Sequence, residues 1–244
     1  MPTLILSPRH SEDSQSLWRA ASELGWEVER LPSWRVPEYF LQLKEPVLYV
    51  EALFAPTVAE QFGLQLLEPP VNWLPTLPDV YRKRRVEMMT LAQARLLPSP
   101  AFIKPPNDKS FPAKVYNGHE LPEGYDEQMP VLVAEVVQWE IEFRCFVLDR
   151  QVKTMSIYLR NGELQRDVQF YSSDDEQEEV LRFAQTVLAD SSVNVPRSFV
   201  LDVGTISGRG WAVVELNSSW GAGIYGCDPK MVLEVVRYSA ELVQ

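Results

Sequence analysis

The chain has 244 residues, 45% of them hydrophobic and 23% charged, so it carries enough apolar material for one large core or two small ones and too much for a disordered chain. A formal net charge of -11 is the wrong sign for gripping a nucleic-acid backbone, and no apolar run approaches the roughly 20 residues that span a bilayer. Two cysteines and two histidines supply neither a disulfide framework nor a Cys/His zinc set, and residues 1–6 lack the basic and long apolar regions of a secretory signal, so a cytoplasmic address is expected with no nucleic-acid or membrane partner.

Residues 3–7 read as a buried strand and residues 11–24 as a helix, with Ser11 as N-cap and Gly25 as the stop. Residues 26–31 and 46–50 read as further strands, 57–62 as a helix ended by Gly63, and 64–67 as a strand closed by Pro69-Pro70. Alternating elements predict a small α/β unit with a mostly parallel sheet. It has no Gly-x-Gly-x-x-Gly turn and so no dinucleotide fingerprint. A helical pattern over 86–94, headed by the basic cluster Arg82-Lys83-Arg84-Arg85, is expected to link this unit to the rest, with the cluster as a solvated turn. The first domain is accordingly drawn over 1–95 and the second over 96–244.

Beyond the linker, strands dominate: 101–104, 113–116, 131–137, 141–148, 151–159, 198–204 and 211–217. Helices are expected only at 175–188 and 230–242, which makes the second part α+β. A turn centred between Gly208 and Arg209 sets Asp202 directly opposite Glu215, with Asn217 on the same face. Phe199, Leu201 and Val203, with Ala212, Val214 and Leu216, fall on the other, apolar face. Facing carboxylates repel, so something positive should lie between them. Two carboxylates and an amide offer only oxygen, the donor that Mg²⁺ prefers. In residues 140–148, Glu140, Glu142 and Arg144 share a face, and a turn at Asp149-Arg150 puts Lys153 opposite Phe146 on that same face.

The order of these pieces resembles the ATP-grasp superfamily. Asp202, Glu215 and Asn217, followed by the loop Ser218-Ser219-Trp220-Gly221-Ala222-Gly223, resemble its metal-binding end. Phe102-Ile103-Lys104-Pro105 resembles its phosphate-lysine strand, and Val133-Ala134-Glu135-Val136-Val137 its adenine-binding hinge. Glu142 falls where the family holds the ribose hydroxyls, and Arg144 with Lys104 and Lys114 suits a minimal clade marked by one arginine and two lysines. The match runs over about residues 101–226, and the α/β unit before it resembles the family's usual N-terminal domain.

The resemblance implies an α/β N-terminal domain followed by an α+β ATP-grasp module whose antiparallel sheets sandwich the nucleotide. It implies an ATP-dependent ligase that joins a small-molecule or peptide carboxylate to an amine or thiol through an acyl-phosphate, with ATP and Mg²⁺ as cofactors. Asp202, Glu215 and Asn217 would hold Mg²⁺; Lys104 and Lys114 the phosphates; Glu135 and Val137 the adenine; Glu142 the ribose. Val200 stands where many members carry an arginine, which leaves Arg144 and Lys153 to serve the acyl-phosphate. The loop over residues 105–112 carries three prolines and no glycine, so phosphate contacts would lean on lysine side chains, with Lys109 read as a plain loop lysine. The alternative is a non-catalytic ATP-binding or partner-binding module of the same fold. The strand ends at Ser7-Pro8-Arg9-His10 and the loop from Trp220 to Tyr225 are the expected substrate walls.

Overall fold

The computed structural model describes residues 1–107 and 110–243. Its first layer is a parallel three-stranded sheet in which β1 (Thr3–Leu6) is central, between β2 (Glu27–Arg30) and β3 (Pro46–Tyr49). All of β1 is buried, which is why it reads as an unbroken apolar run. Helix α1 (Glu12–Glu23) starts at Ser11, whose hydroxyl accepts from the Ser14 amide while the Ser14 hydroxyl accepts from the Ser11 amide. It buries Leu17, Ala20 and Ala21 and ends before Gly25, whose φ of +74° suits glycine. Helix α2 (Ala55–Gln61) leads into β4 (Leu64–Leu66), which stays out of the parallel sheet. Two one-turn helices follow, α3 (Trp73–Thr76) and α4 (Asp79–Arg82).

The linking helix expected over 86–94 is instead a strand, β5 (Val86–Thr90), and a short helix, α5 (Leu91–Arg95). Val86 and Met88 pack toward one core and Met89 toward another, so the strand is apolar on both faces and mimics helical spacing. Thr90 and Gln93 form the capping box that starts α5. With β6 (Ala101–Lys104), β7 (Lys114–Tyr116) and β8 (Pro130–Ala134), β5 makes a four-stranded antiparallel sheet in the order β5-β8-β6-β7. Ile103, Tyr116, Val131 and Val133 line the far face of this small sheet, while Val86, Leu132 and Ala134 meet the core of the larger sheet.

The larger sheet is antiparallel, in the order β11-β10-β9-β12-β13. It contains β9 (Trp139–Leu148), β10 (Gln151–Arg160), β11 (Glu163–Leu164), β12 (Ser198–Ile206) and β13 (Gly210–Asn217). One face packs Phe143, Cys145, Val147, Phe199, Leu201 and Val203 against Val180, Ala184 and Val187 of α6 (Asp174–Ala189). The other face carries Phe146, Leu148 and Val200, which pack against α1 and α7 (Pro229–Val236). Helix α7 stops six residues short of the expected 242, and β14 (Ala240–Leu242) pairs antiparallel with β4. An otherwise bare strand edge gains a partner, and that satisfies more backbone than another helical turn would.

Two expected registers are shifted by β-bulges. Asp202 does face Glu215, but Val203 faces Val213, so Val213 rather than Val214 or Ala212 joins the core under α6. In the β9–β10 hairpin, Val152 faces Val147 but Thr154 faces Phe146, which leaves Lys153 as the extra residue. Gly204 lies where β12 passes closest to β9: a Cβ there would come within 2.4 Å of the Ile141 carbonyl oxygen and 3.0 Å of the Trp139 ring. Gly204→Ala should therefore cost about 1–3 kcal/mol, as overpacking does, and lower Tm by about 2–4 °C per kcal/mol in a domain of this size. Thermal unfolding followed by circular dichroism checks this; an unchanged Tm would mean the strands separate freely there.

Candidate functional site

Pairing across four strands builds the site. Asp202 on β12 lies between Arg144 on β9 and Glu215 on β13, and Arg144 in turn faces Ser156 on β10. Asp202 is completely buried in the middle of this row. Arg144 grips it with two hydrogen bonds, Nε to Oδ1 at 2.9 Å and Nη2 to Oδ2 at 2.6 Å, and donates from Nη1 to the Gly223 carbonyl at 3.0 Å. Glu215 pairs with Lys104, which reaches over from the small sheet. The Asn217 side-chain nitrogen joins the two carboxylates, donating to Asp202 at 3.0 Å and to Glu215 at 2.9 Å. The facing carboxylates thus have a cation at each end and an amide between them.

Burial alone would raise the Glu215 carboxyl, but the Lys104 charge, with hydrogen bonds from Lys104 and Asn217, brings it down to about 2. Burial opposes the charge on Arg144, yet the Asp202 carboxylate holds the guanidinium above its usual range. Glu142, two residues before Arg144 on the same face, is buried and accepts from the Tyr158 hydroxyl at 2.9 Å. Burial, with Asp202 and Glu215 nearby, pushes its carboxyl up to about 7 against the opposing Tyr158 hydrogen bond. Tyr158 is itself a bulge residue: Ile157 faces Phe143 and Leu159 faces Glu142, and the slip aims the phenol at Glu142.

The structure gathers Lys104, Glu142, Arg144, Asp202, Glu215 and Asn217, and leaves two expected cations elsewhere. Lys153, displaced by its bulge, pairs with Glu234 of α7 at 2.9 Å instead of facing the site beside Arg144. Lys114 pairs in register with Ile103, so it leaves the small sheet on the face opposite Lys104, where its ammonium lies 4.8 Å from the Tyr116 ring. Lys109 lies outside the described residues. The expected hinge strand ends at Ala134, and residues 135–138 form the irregular connection between the two sheets. Glu135 there holds Arg209 at 2.6 and 3.1 Å, and that bond, with one from the Arg85 amide, lowers its carboxyl to about 2. The backbone of Val137 makes no hydrogen bond among the described residues. Val200 is buried against the apolar core.

Sequence reasoning passed over Arg84 and Asp13. The basic cluster is solvated only in part: Arg85 is exposed, whereas Arg84 is buried and donates from Nη1 and Nη2 to the carbonyls of Val213 and Val214, at 2.7 and 2.8 Å. Those carbonyls lie at the bulge, two and one residues before Glu215, on the edge strand of the sheet; Val214 is the extra residue and Val213 pairs with Val203. Asp13, from the first turn of α1, accepts from the Ile224 amide at 3.2 Å. The signal for Arg84 was its place in a cationic run directly before a buried strand; Asp13 carried no signal beyond a preference of acids for helix starts.

Among the described residues no three His, Cys, Asp or Glu side chains converge on a metal position. A cation here would rest on Asp202, Glu215 and Asn217, which their shared hydrogen bonds bring to one point. An all-oxygen set with two carboxylates fits Mg²⁺, which keeps water and phosphate oxygens in its other positions. A small cleft opens onto Lys104 and Glu215 and is walled by Leu74, Leu132 and Leu216.

Two antiparallel sheets facing each other across a charged row, behind a parallel α/β layer, define an ATP-grasp ligase fold. Residues 81–235 match an ATP-grasp domain family, the second family of the clade named for one arginine and two lysines, and the chain belongs to it. Solved structures with the same fold include a RimK domain protein ATP-grasp from Sphaerobacter thermophilus (14% identity, 97% of this chain and 99% of that one covered, TM-score 0.57). D-cycloserine synthetase DcsG is similar at 12% identity, with 97% and 99% covered and a TM-score of 0.59. The ATP-grasp ligase PsnB, solved with a minimal precursor, Mg and ADP, is similar at 15% identity, with 96% of each chain covered and a TM-score of 0.53. No curated protein matches the chain in sequence. No helix among the described residues is long and apolar enough to cross a membrane.

Glu142 carries a stability prediction with a definite sign. Its folded pKa, about 7, lies above the ordinary 4.5, so the folded state keeps a proton that the unfolded chain has released. The stability it contributes is full below the ordinary value and is lost as pH rises through about 7. Glu142→Gln should flatten that decline and be the more stable protein at pH about 8, by on the order of 2–3 kcal/mol; parallel pH-melting curves would refute it. Arg84→Leu, which strips both bulge carbonyls of their donor, should cost about 1–3 kcal/mol in urea unfolding, where an unchanged midpoint would show that the bulge holds by itself.

Proposed function

We propose that this protein is an ATP-dependent carboxylate–amine or carboxylate–thiol ligase that activates its acid as an acyl-phosphate and releases ADP and phosphate. The convergence of Asp202, Glu215 and Asn217 with Lys104 and Arg144, where the two sheets face each other, carries the reading. Family membership and the likeness to a ligase solved with Mg and ADP support it.

In this reading Asp202, Glu215 and Asn217 hold Mg²⁺, which when bound offsets charge on the transferring phosphoryl group. Lys104, a compact charge at the mouth of the cleft, turns to the phosphates. Glu142 accepts from the ribose hydroxyls, with Tyr158 fixing its orientation. The unpaired backbone of Val137 offers the donor and acceptor that an adenine edge needs, and Glu135, tied to Arg209, frames that connection. Arg144 supplies the charge beside the acyl-phosphate: two of its five N–H groups remain after those given to Asp202 and Gly223, and its carboxylate partner keeps it ionised. Lys114 and Lys153 have no part, because neither reaches the row. The division of labour falls before β5, which pairs with β8 in the small sheet, rather than at residue 95: the α/β layer walls the substrate side and the two antiparallel sheets hold the nucleotide.

A rival reading, an ATP-binding module without turnover, is favoured by one observation: buried Val200 leaves no cation on the Asp202 strand itself. The two are separated by products. Purified protein with ATP and Mg²⁺ should form ADP and phosphate only when a carboxylate is added, and a stable conjugate only with a nucleophile present. AMP and pyrophosphate would overturn the acyl-phosphate route, and binding without turnover across acids and amines would favour the module. Ligand stabilisation gives a second measurement. Mg²⁺ with a non-hydrolysable ATP analogue at a hundredfold excess over Kd should protect the fold by about 2.7 kcal/mol, and Glu215→Ala should lose the metal-dependent part.

A further inference from the structure

Every oxygen of the two facing carboxylates already accepts from a donor of the chain itself. Asp202 accepts from Arg144 on both, Oδ1 at 2.9 Å and Oδ2 at 2.6 Å, and Oδ2 also accepts from the Asn217 amide at 3.0 Å. Glu215 accepts from Asn217 on Oε1 at 2.9 Å and from Lys104 on Oε2. Two cations meet two anions, so the row carries no net charge. Buried Arg84, bonded to the carbonyls of the two residues before Glu215, adds positive charge beside it. A divalent cation is drawn by uncompensated negative charge, and here that charge is balanced from within. Asn217 moreover turns its nitrogen, a donor, toward both carboxylates, so its amide must rotate before the oxygen can ligate.

The two counter-ions differ in how firmly they are held. Arg144 grips Asp202 in bidentate fashion, donates to the Gly223 carbonyl at 3.0 Å and lies 4.9 and 5.5 Å from the rings of Tyr225 and Tyr158. Its place is fixed on three sides. Lys104 has Glu215 as its one ionic partner among the described residues and reaches it from the other sheet, at the mouth of the cleft. A lysine ammonium is a point charge on a flexible four-carbon stem, free to change partner without moving its strand. Lys104 can therefore leave the row, and Arg144 cannot. What would draw it off is a stronger anion at the cleft, and its departure would leave the row one charge negative.

We propose that Lys104 is a removable counter-ion that keeps divalent cations off Glu215 until nucleotide phosphates draw it away, so that the protein takes up metal only together with nucleotide. This rests on the reading of the row as a metal and nucleotide site, and its test needs neither nucleotide nor turnover. Mn²⁺, an oxygen-preferring divalent ion, is the probe, its free concentration followed by electron paramagnetic resonance in titrations of the full chain without nucleotide. Lys104→Met removes the charge and keeps the apolar stem; it should bind Mn²⁺ at least about tenfold more tightly than the wild type, as removal of a competing neighbouring charge requires. Adding Glu215→Gln to that variant should abolish the gain. Because Lys104→Met leaves a carboxylate without its cation, Mn²⁺ alone should raise its Tm and leave that of the wild type unchanged. Should Lys104→Met fold poorly, Lys104→Gln keeps a hydrogen-bond donor for Glu215 and removes the charge, and it should show the same gain; a variant that folds only with Mn²⁺ gives the same answer. Equal Mn²⁺ affinity in wild type and both variants, or a gain that survives Glu215→Gln, would overturn the proposal. The expected Mn²⁺ pattern without ADP formation by the wild type would uphold Lys104 as the counter-ion and count against the ligase reading, whereas ADP formation with no gain in either variant would do the reverse.

Discussion

A fully buried carboxylate in the middle of a five-stranded sheet is the constraint around which this molecule is arranged. Taking an ion out of water costs several kcal/mol that a single attraction does not recover without well-placed hydrogen bonds. Asp202 is completely enclosed, and it has three such bonds, two from Arg144 and one from Asn217. Each partner must therefore stand at one register position, Arg144 directly across on β9 and Asn217 two residues past Glu215 on β13. A slip of one residue in either pairing would turn the partner to the opposite face. The strands cannot choose register by apolar pattern alone here, because both faces of β12 are buried.

The bulges follow from that requirement. Tight turns with Gly208 and Gly210 at positive φ close the β12–β13 hairpin one residue out of step with the Asp202–Glu215 pair, and the bulge at Val214 absorbs the difference. At the bulge, Arg84 donates to the carbonyls of both Val213 and Val214. A buried arginine is costly in turn: burial brings Arg84 down to about 10, with Glu215 and Glu142 opposing that shift. Its guanidinium also lies 4.9 Å from the Trp139 ring. The compensation of one buried charge thus propagates to a second on a different element, and the linker before β5 is pinned to the site hairpin. Lys83 and Arg209 reinforce the attachment by donating to each other's carbonyl oxygens.

How much of this was legible depended on the range of the interaction. The Asp202–Glu215 pairing could be read because a hairpin converts sequence separation into geometry through a single turn; the turn itself closes one residue out of step with the expected register, with Ile206 facing Gly210, and the bulge at Val214 restores the expected pairing beyond it. Lys153 failed for the complementary reason: its bulge lies between it and the residues that matter, and nothing local in Val152-Lys153-Thr154 announces it. Val86 to Thr90 looked helical because Met88 and Met89, adjacent in sequence, pack toward different cores and interrupt the alternation. Lys104 was legible as a candidate, yet its partner on another sheet was not, since β6 and β13 are more than a hundred residues apart and meet only when the sheets stack. Arg84 and Asp13 belong to the same class of long-range contacts, whereas Tyr158 reaches Glu142 within one hairpin and was hidden by a bulge.

The two layers of the fold also meet on the charged side of the large sheet, which explains why the substrate wall is built from α/β residues. Parallel strands present their carboxyl ends and the following loops in one direction. Here β1 and β3 point theirs at the segment after β13: the Val50 amide donates to the Trp220 carbonyl at 3.1 Å, and the Tyr49 hydroxyl to that of Ala222 at 2.8 Å. Gly221 permits the approach, since a Cβ there would lie 3.1 Å from the Val50 carbonyl oxygen. The loop that carries Gly223 to Arg144 is therefore held from the α/β layer, while the strand that feeds it carries Glu215 and Asn217. One continuous stretch of chain, residues 215–225, thus runs from the oxygen donors to the aromatic wall: its middle is held by the α/β layer, while its Tyr225 end stacks back on Tyr158 of the large sheet at 5.0 Å.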